Sequence, residues 1–156
     1  MSTYLRYLAG GLIVLLVQWL VLGRIGLWGA TPDAVLLFVA WTGLRLGRRP
    51  GALAGFLAGA LMDALYDTWG IHMFAKTLTG FLLGLFRSRE RESLHVLPRQ
   101  AFAGSFVIAL VHNGIAVTLL ALATGTSSPF MVTALWIGAS LYTAFLGFLA
   151  ALFGTR

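Results

Sequence analysis

Apolar residues fall into six long runs along this chain, and short polar or turn-forming segments separate the runs. A helix of about 20 apolar residues spans the roughly 30 Å hydrocarbon core of a bilayer, and a shorter one crosses with little tilt or with local thinning. The pattern therefore predicts an all-α integral membrane protein with six transmembrane helices, in a single domain over residues 1–156. The predicted helices cover about 7–27, 33–46, 51–67, 70–86, 101–123 and 130–153.

Composition agrees with this class, since 59% of the residues are hydrophobic and only 10% are charged. A soluble domain carries about 25% charged residues. The chain contains no cysteine, which excludes disulfides, thiol nucleophiles and thiolate metal sites. Its net charge of +6 would suggest nucleic acid as the partner of a soluble protein. Between apolar runs, the basic residues instead indicate cytoplasmic loops and anionic headgroups, so the expected partner is the lipid bilayer and no nucleic acid.

The basic residues also predict a direction across the membrane. In a six-helix arrangement, nine of the eleven lysines and arginines fall on one side. These nine are Arg6, Arg45, Arg48, Arg49, Arg87, Arg89, Arg91, Arg99 and Arg156. Because cytoplasmic loops are enriched in Lys and Arg, we expect both termini in the cytoplasm, and Asp33 and Asp67 on the opposite side.

The third and fourth predicted helices form the hairpin around which the chain is organised. Glycine recurs at four-residue spacing in both, and such rows let two helix backbones approach closely in lipid. We therefore expect helix packing through Gly51, Gly55, Gly59, Gly80 and Gly84. A hairpin that is symmetric about Trp69–Gly70 pairs Gly55 with Gly84 and Gly59 with Gly80.

The same symmetry places Asp63 opposite Lys76 at equal depth. A lone charge in hydrocarbon is costly, so ionisable residues within spans usually pair and often mark functional sites. One interpretation is a buried ion pair that fixes the register of the two helices. The others are a ligand pocket or a partner-binding site in the outer leaflet. Arg24 and Asp67 lie near the same end of the helices and are candidate members of this site.

Two further polar residues, His112 and Asn113, lie near the middle of the fifth predicted helix. Side chains of this kind often hydrogen-bond a neighbouring helix in a membrane. No second His or carboxylate on the same helix face gives the spacing of a metal site. We therefore expect a structural role for both residues, and no metal or other cofactor.

A catalytic alternative rests on Gly59, Asp63 and Asp67, which follow one another at four-residue spacing. This spacing reproduces the second half of the metal-binding signature of membrane phosphatidyl-alcohol transferases, in which two carboxylates one turn apart hold a divalent cation. The first half of that signature is missing upstream, and the predicted orientation puts these acids on the outer side. The chain also lacks a phosphate loop and a Ser–His–Asp set, so we expect no enzymatic activity.

The chain resembles the rod shape-determining protein MreD family in its length, its six predicted spans and its hairpin. The motif resemblance runs from Pro32 to Gly84. It rests on Pro32, Asp33, Arg48, Arg49, Gly55, Gly59, Asp63, Gly70 and Gly80.

The resemblance implies an inner-membrane component of the bacterial cell-elongation machinery, with no chemistry of its own. Such a protein binds MreC, which has a single span and a periplasmic domain. It works with the MreB filament, RodA and a class B penicillin-binding protein to guide peptidoglycan insertion. A row of small residues on the sixth predicted helix, Ala139, Thr143, Gly147 and Ala151, is a candidate face for a homodimer.

The family is also similar in fold to the substrate-binding subunits of energy-coupling-factor vitamin transporters. That similarity supplies the alternative function, a membrane subunit that binds a small, vitamin-like molecule. Those subunits carry two alanines four residues apart on their first helix, where they dock onto the transmembrane partner. In this chain bulky Ile13, Val14 and Leu15 follow Ala9 and Gly10, which favours the scaffold.

Overall fold

The computed structural model describes residues 3–68, 70–87 and 97–154, and within these ranges the chain forms six helices. The loop at 88–96, with its predicted cytoplasmic arginines, lies outside the described residues, as do Trp69 and the two ends of the chain. The α-helical segments are α1 (Thr3–Val17), α2 (Ala34–Leu46), α3 (Arg48–Tyr66), α4 (Ile71–Leu85), α5 (Pro98–Thr124) and α6 (Ala139–Gly154). One π-helical segment, Gln18–Leu22, extends α1, and another, Met131–Gly138, precedes α6. The prediction of an all-helical protein with six helices is confirmed.

The helices pack around the hairpin of α3 and α4, which share the most extensive contact. Helix α2 lies against both of them, and α5 and α6 form a second pair that reaches the hairpin mainly through α4. Helix α1 is the most loosely attached, and it joins the core mainly through Leu15. That core is small, and Val35, Val39 and Met62 complete it.

The surface is apolar and the interior carries the polar groups, which reverses the pattern of a soluble protein. Large hydrophobic side chains lie exposed on every helix, whereas Gln18, Asp63, Lys76 and His112 are buried. Lipid tails solvate the outward side chains as well as a protein core does, so polar and small residues turn inward. Three helical stretches of the described chain are long and apolar enough to cross a membrane: Leu5–Leu22, Pro98–Thr124 and Met131–Gly154.

Among the predicted helix bounds that differ from the structure, two have clear local reasons. The first helix ends at Leu22 rather than near residue 27, because a short reversal follows in which Leu27 and Ala30 exchange backbone hydrogen bonds. The third helix begins at Arg48 rather than at Gly51. Proline is tolerated in the first turn of a helix, where the backbone N–H has no intrahelical acceptor, so Pro50 does not delay the start.

Candidate functional site

A buried ion pair between Lys76 and Asp33 lies at the centre of the site. Lys76 comes from α4 and has no solvent exposure, and its ammonium donates to the Asp33 carboxylate. Asp33 also caps α2, because its other carboxylate oxygen accepts from the Leu36 N–H at 2.8 Å. Its own N–H donates to the Thr143 hydroxyl of α6 at 2.9 Å. Asp33 therefore connects α2 to both α4 and α6.

His112 of α5 adds an imidazole to this pair. Its Nε2 lies 3.4 Å from Lys76 Nζ and 3.9 Å from the Asp33 carboxylate. Its Nδ1 lies 3.4 Å from the hydroxyl of Thr79, which donates to the Ala75 carbonyl at 2.8 Å. Because a hydroxyl has one proton to donate, the network assigns the proton of the imidazole to Nδ1 and leaves Nε2 to accept from the ammonium.

Asp63 does not pair with Lys76, and the predicted ion pair is corrected on this point. Its carboxylate accepts four hydrogen bonds at the turn. They come from the Thr68 hydroxyl and from the backbone N–H groups of Gly70, His72 and Met73, at 2.9 to 3.0 Å. An ionised carboxylate offers about four acceptor positions, so Asp63 is fully used in capping the first turn of α4.

Asp63 does not lie opposite Lys76 because the chain turns earlier than predicted. Asp67 and Gly70 adopt left-handed conformations, with φ values of 56° and 95°, and reverse the chain directly after Tyr66. The reversal therefore centres nearer Tyr66 than the predicted Trp69–Gly70. Asp63 comes level with the first turn of α4, and Lys76 lies beside Gly55 in the middle of α3.

The two other residues assigned to this site, Arg24 and Asp67, are both exposed. Arg24 follows the π-helical segment, where its backbone N–H donates to the Val21 carbonyl at 3.0 Å. Asp67 is the C-cap of α3 and serves the turn through its backbone conformation. Neither residue belongs to the buried cluster.

The five glycines of the predicted packing row are buried between α3 and α4. A Cβ atom at Gly59 would lie 2.5 Å from the Met73 Cα, and one at Gly55 would overlap the Lys76 carbonyl. The register differs from the predicted one by about two helical turns, since Gly80 lies against Gly51 instead of Gly59, and Gly84 lies against Arg48. The predicted pairs Gly55 with Gly84 and Gly59 with Gly80 are wrong, because the earlier turn shifts both helices.

Asn113 and Gln18 hold other helices in place. The Asn113 amide donates to the Ser140 hydroxyl of α6 at 3.1 Å. Gln18 donates to the Pro32 carbonyl and accepts from the Ala34 N–H, both at 2.8 Å. Gln18 therefore satisfies two backbone groups at the start of α2. In the sequence, this contact is indicated by one amide side chain, that of Gln18, within an apolar run.

A cavity of about 290 Å³ opens beside the ion pair. Its wall is mixed, with imidazole, amide and carboxylate groups next to aliphatic ones. Residues that line it include Gln18, Asp33, Met62, Tyr66, His72, His112, Asn113, Val117 and Leu120. His72 Nδ1 is buried and has no hydrogen-bond partner among the described residues, and a buried polar atom of that kind usually has one.

The chemistry of the cluster suits binding. The Lys76 ammonium is engaged by a carboxylate and an imidazole, and the Asp63 carboxylate is saturated by four donors. A general base or nucleophile needs a free lone pair within reach of a substrate, and these groups have none to spare. Residues 3–68, 70–87 and 97–154 contain no group of three or more His, Cys, Asp or Glu placed to hold a metal ion.

Comparison with known proteins identifies the family. A family model described as rod shape-determining protein MreD matches residues 2–154 of the 156-residue chain. Neither the comparison with curated proteins nor the comparison with solved structures gives a match, so the likeness in fold to vitamin-transporter subunits stays a prediction. The family match confirms the resemblance seen between Pro32 and Gly84 and assigns the chain a role in determining rod shape. The apolar helices agree with a membrane location, and the chain belongs to the MreD family.

Proposed function

We propose that this protein is a non-catalytic scaffold of the bacterial cell-elongation machinery, in which it binds MreC in the cytoplasmic membrane. It acts beside the MreB filament, RodA and a class B penicillin-binding protein, and it helps to position peptidoglycan synthesis. The observation that carries the proposal is the cavity, whose charged groups are all neutralised within the protein. A site of this kind recognises a partner by shape and hydrogen bonding.

The position of the cavity favours a partner on the periplasmic side. Tyr66, Thr68, Ile71 and His72 line it, and all four lie at or next to the hairpin turn. The described arginines Arg48 and Arg49 lie at the other end of α3. With that arginine-rich end in the cytoplasm, the cavity faces the side on which the membrane-proximal part of MreC would lie.

The partner also accounts for the composition of the wall. A peptide segment that leaves the membrane presents both side chains and unpaired backbone groups. Aliphatic residues such as Val117 would contact the side chains. The free His72 Nδ1 and the amide of Asn113 would pair with backbone groups, which a buried polar site needs for specificity.

The test is co-purification of MreC in mild detergent together with rescue of cell shape. Val117→Trp fills the cavity, and Val111→Trp makes the same change on the exposed outer face of α5, where Val111 is 54% exposed. We expect the first variant to lose MreC and leave rounded cells, and the second to behave as the wild type. Retention of MreC by both variants would contradict the role of the cavity. Recovery of an ATPase-coupled transport module with a bound vitamin would instead support the transporter subunit.

A further inference from the structure

An apolar groove runs along the outer surface between α1, α2 and α3, away from the cavity. Its volume is about 440 Å³. On α3 it extends from Arg49 to Leu61, which corresponds to about 18 Å at 1.5 Å per residue. That length matches one leaflet of a bilayer, whose hydrocarbon core is about 30 Å across both leaflets.

The two ends of the groove differ in chemistry. Aliphatic residues line most of its length, among them Leu12, Leu15 and Leu57. Polar residues lie at one end, where Arg49 and Tyr7 both line the groove near the start of their helices. Arginine binds phosphate in a bidentate manner, and tyrosine favours the depth of the headgroups.

The charge around Arg49 is unbalanced. The acids that the structure describes are Asp33, Asp63 and Asp67, and they lie where α2 begins or α3 ends. Arg49 forms no ion pair in the described part of the chain. It stands beside Arg48, at the end of the hairpin where we expect the cytoplasm. An anionic ligand group is the complement of this end.

The lining of the groove suits an acyl chain. On α3 its lining residues include Ala54 and Ala58, which alternate along the chain with the bulkier Leu53, Leu57 and Leu61. A single hydrocarbon chain can lie along these small residues, between the aliphatic residues that α1 and α3 contribute.

We propose that this groove binds one anionic phospholipid of the cytoplasmic leaflet, with an acyl chain along α3 and the phosphate on Arg49. The loosely attached α1 gains a second contact through the lipid, since it supplies one wall of the groove. The proposal relies on the membrane orientation given above and is independent of MreC binding in the cavity.

Native mass spectrometry of the detergent-purified protein tests the proposal, with phosphatidylglycerol and phosphatidylcholine of the same acyl chains as probes. We expect one phosphatidylglycerol to be retained, with phosphatidylcholine bound more weakly. Arg49→Gln should weaken phosphatidylglycerol binding about five-fold, because a basic residue near the membrane surface contributes that much to anionic lipid binding. Arg99→Gln, which removes an exposed arginine outside the groove, should leave it unchanged.

A second pair of variants tests the acyl-chain position. Leu57→Trp obstructs the groove, and Val107→Trp adds the same bulk to the exposed face of α5. We expect Leu57→Trp to abolish retention of the lipid while folding and MreC co-purification persist, and Val107→Trp to change none of these. Equal binding of both lipids, or lipid retention by Leu57→Trp, would overturn the proposal. Loss of MreC with unchanged lipid retention would overturn it in favour of a protein interface at the groove.

Discussion

The Lys76 ammonium donates a hydrogen bond to the carboxylate of Asp33, which lies 43 positions away along the chain. It does so although Asp63 lies on α3, the other helix of the same hairpin. The pair joins the hairpin to the first residue before α2, and His112 extends it to α5. Four helices therefore depend on one buried charge, since Asp33 also contacts Thr143 of α6. These contacts hold the four helices together at the end of the molecule where the cavity opens.

Removing one partner of this pair should destabilise the protein more than removing both partners. Asp33→Ala leaves the Lys76 ammonium buried without a counter-charge, and we expect a loss of about 3 kcal/mol or more in the free energy of unfolding. The double variant with Lys76→Ala should lose clearly less than the sum of the two single variants, because removal of both partners can be nearly neutral. Thermal unfolding in detergent measures the cycle. Coupling between Asp63 and Lys76, instead of between Asp33 and Lys76, would contradict the structure.

Asp63 should behave as a cap rather than as a charge partner. Asp63→Ala removes the acceptor of four donors, and a lost cap costs about 1–2 kcal/mol. Asp63→Asn should lose less, since its amide oxygen still accepts two of the bonds. Asp67→Asn is the matched control at the same turn, because Asp67 is exposed and asparagine tolerates its left-handed conformation. Thermal unfolding and amide exchange at His72 and Met73 report the effect, and equal losses at positions 63 and 67 would refute it.

The sequence predicted the helices and the packing glycines because both depend on local patterns. A run of apolar residues is enough to define a membrane span. Four-residue spacing places Gly51, Gly55 and Gly59 on one face of a helix, independently of which helix packs against that face. The register depends on where the chain turns, and this is decided by two left-handed residues, Asp67 and Gly70. In the observed register Gly51 meets Gly80, whereas Gly55 and Gly59 meet the backbones of Lys76 and Met73.

The ion pair lay beyond prediction for a different reason. Asp33 was expected near the start of a helix, and it is the N-cap of α2. No periodicity relates it to Lys76, because α2 and α4 are not consecutive and their relative position depends on how α2 packs against the hairpin. Gly43 of α2 shows this packing, since a Cβ there would lie 2.7 Å from the Gly80 carbonyl.

The orientation is testable with reporter fusions. Nine of the eleven basic residues fall on one side of a six-span arrangement, so a fusion after the last residue should report a cytoplasmic location. A fusion at Thr126, in the turn that follows α5, should report a periplasmic one. A periplasmic C-terminus would reverse the side on which the cavity opens, and it would contradict both the MreC proposal and the lipid proposal.

Close packing of the hairpin gives the sharpest contrast between two identical substitutions. A methyl group at Gly55 would overlap the backbone carbonyl of Lys76. Because the backbone of a packed helix cannot move aside as a side chain can, α3 and α4 must separate. Overpacking of this kind costs about 1–3 kcal/mol. Gly104 in α5 has no atom within 4 Å of an added Cβ, and there alanine should stabilise the helix by about 0.5–1 kcal/mol. Gly55→Ala should therefore lower the unfolding temperature in detergent, and Gly104→Ala should raise it. A rise with both variants would show that α3 and α4 do not approach as closely as the structure describes.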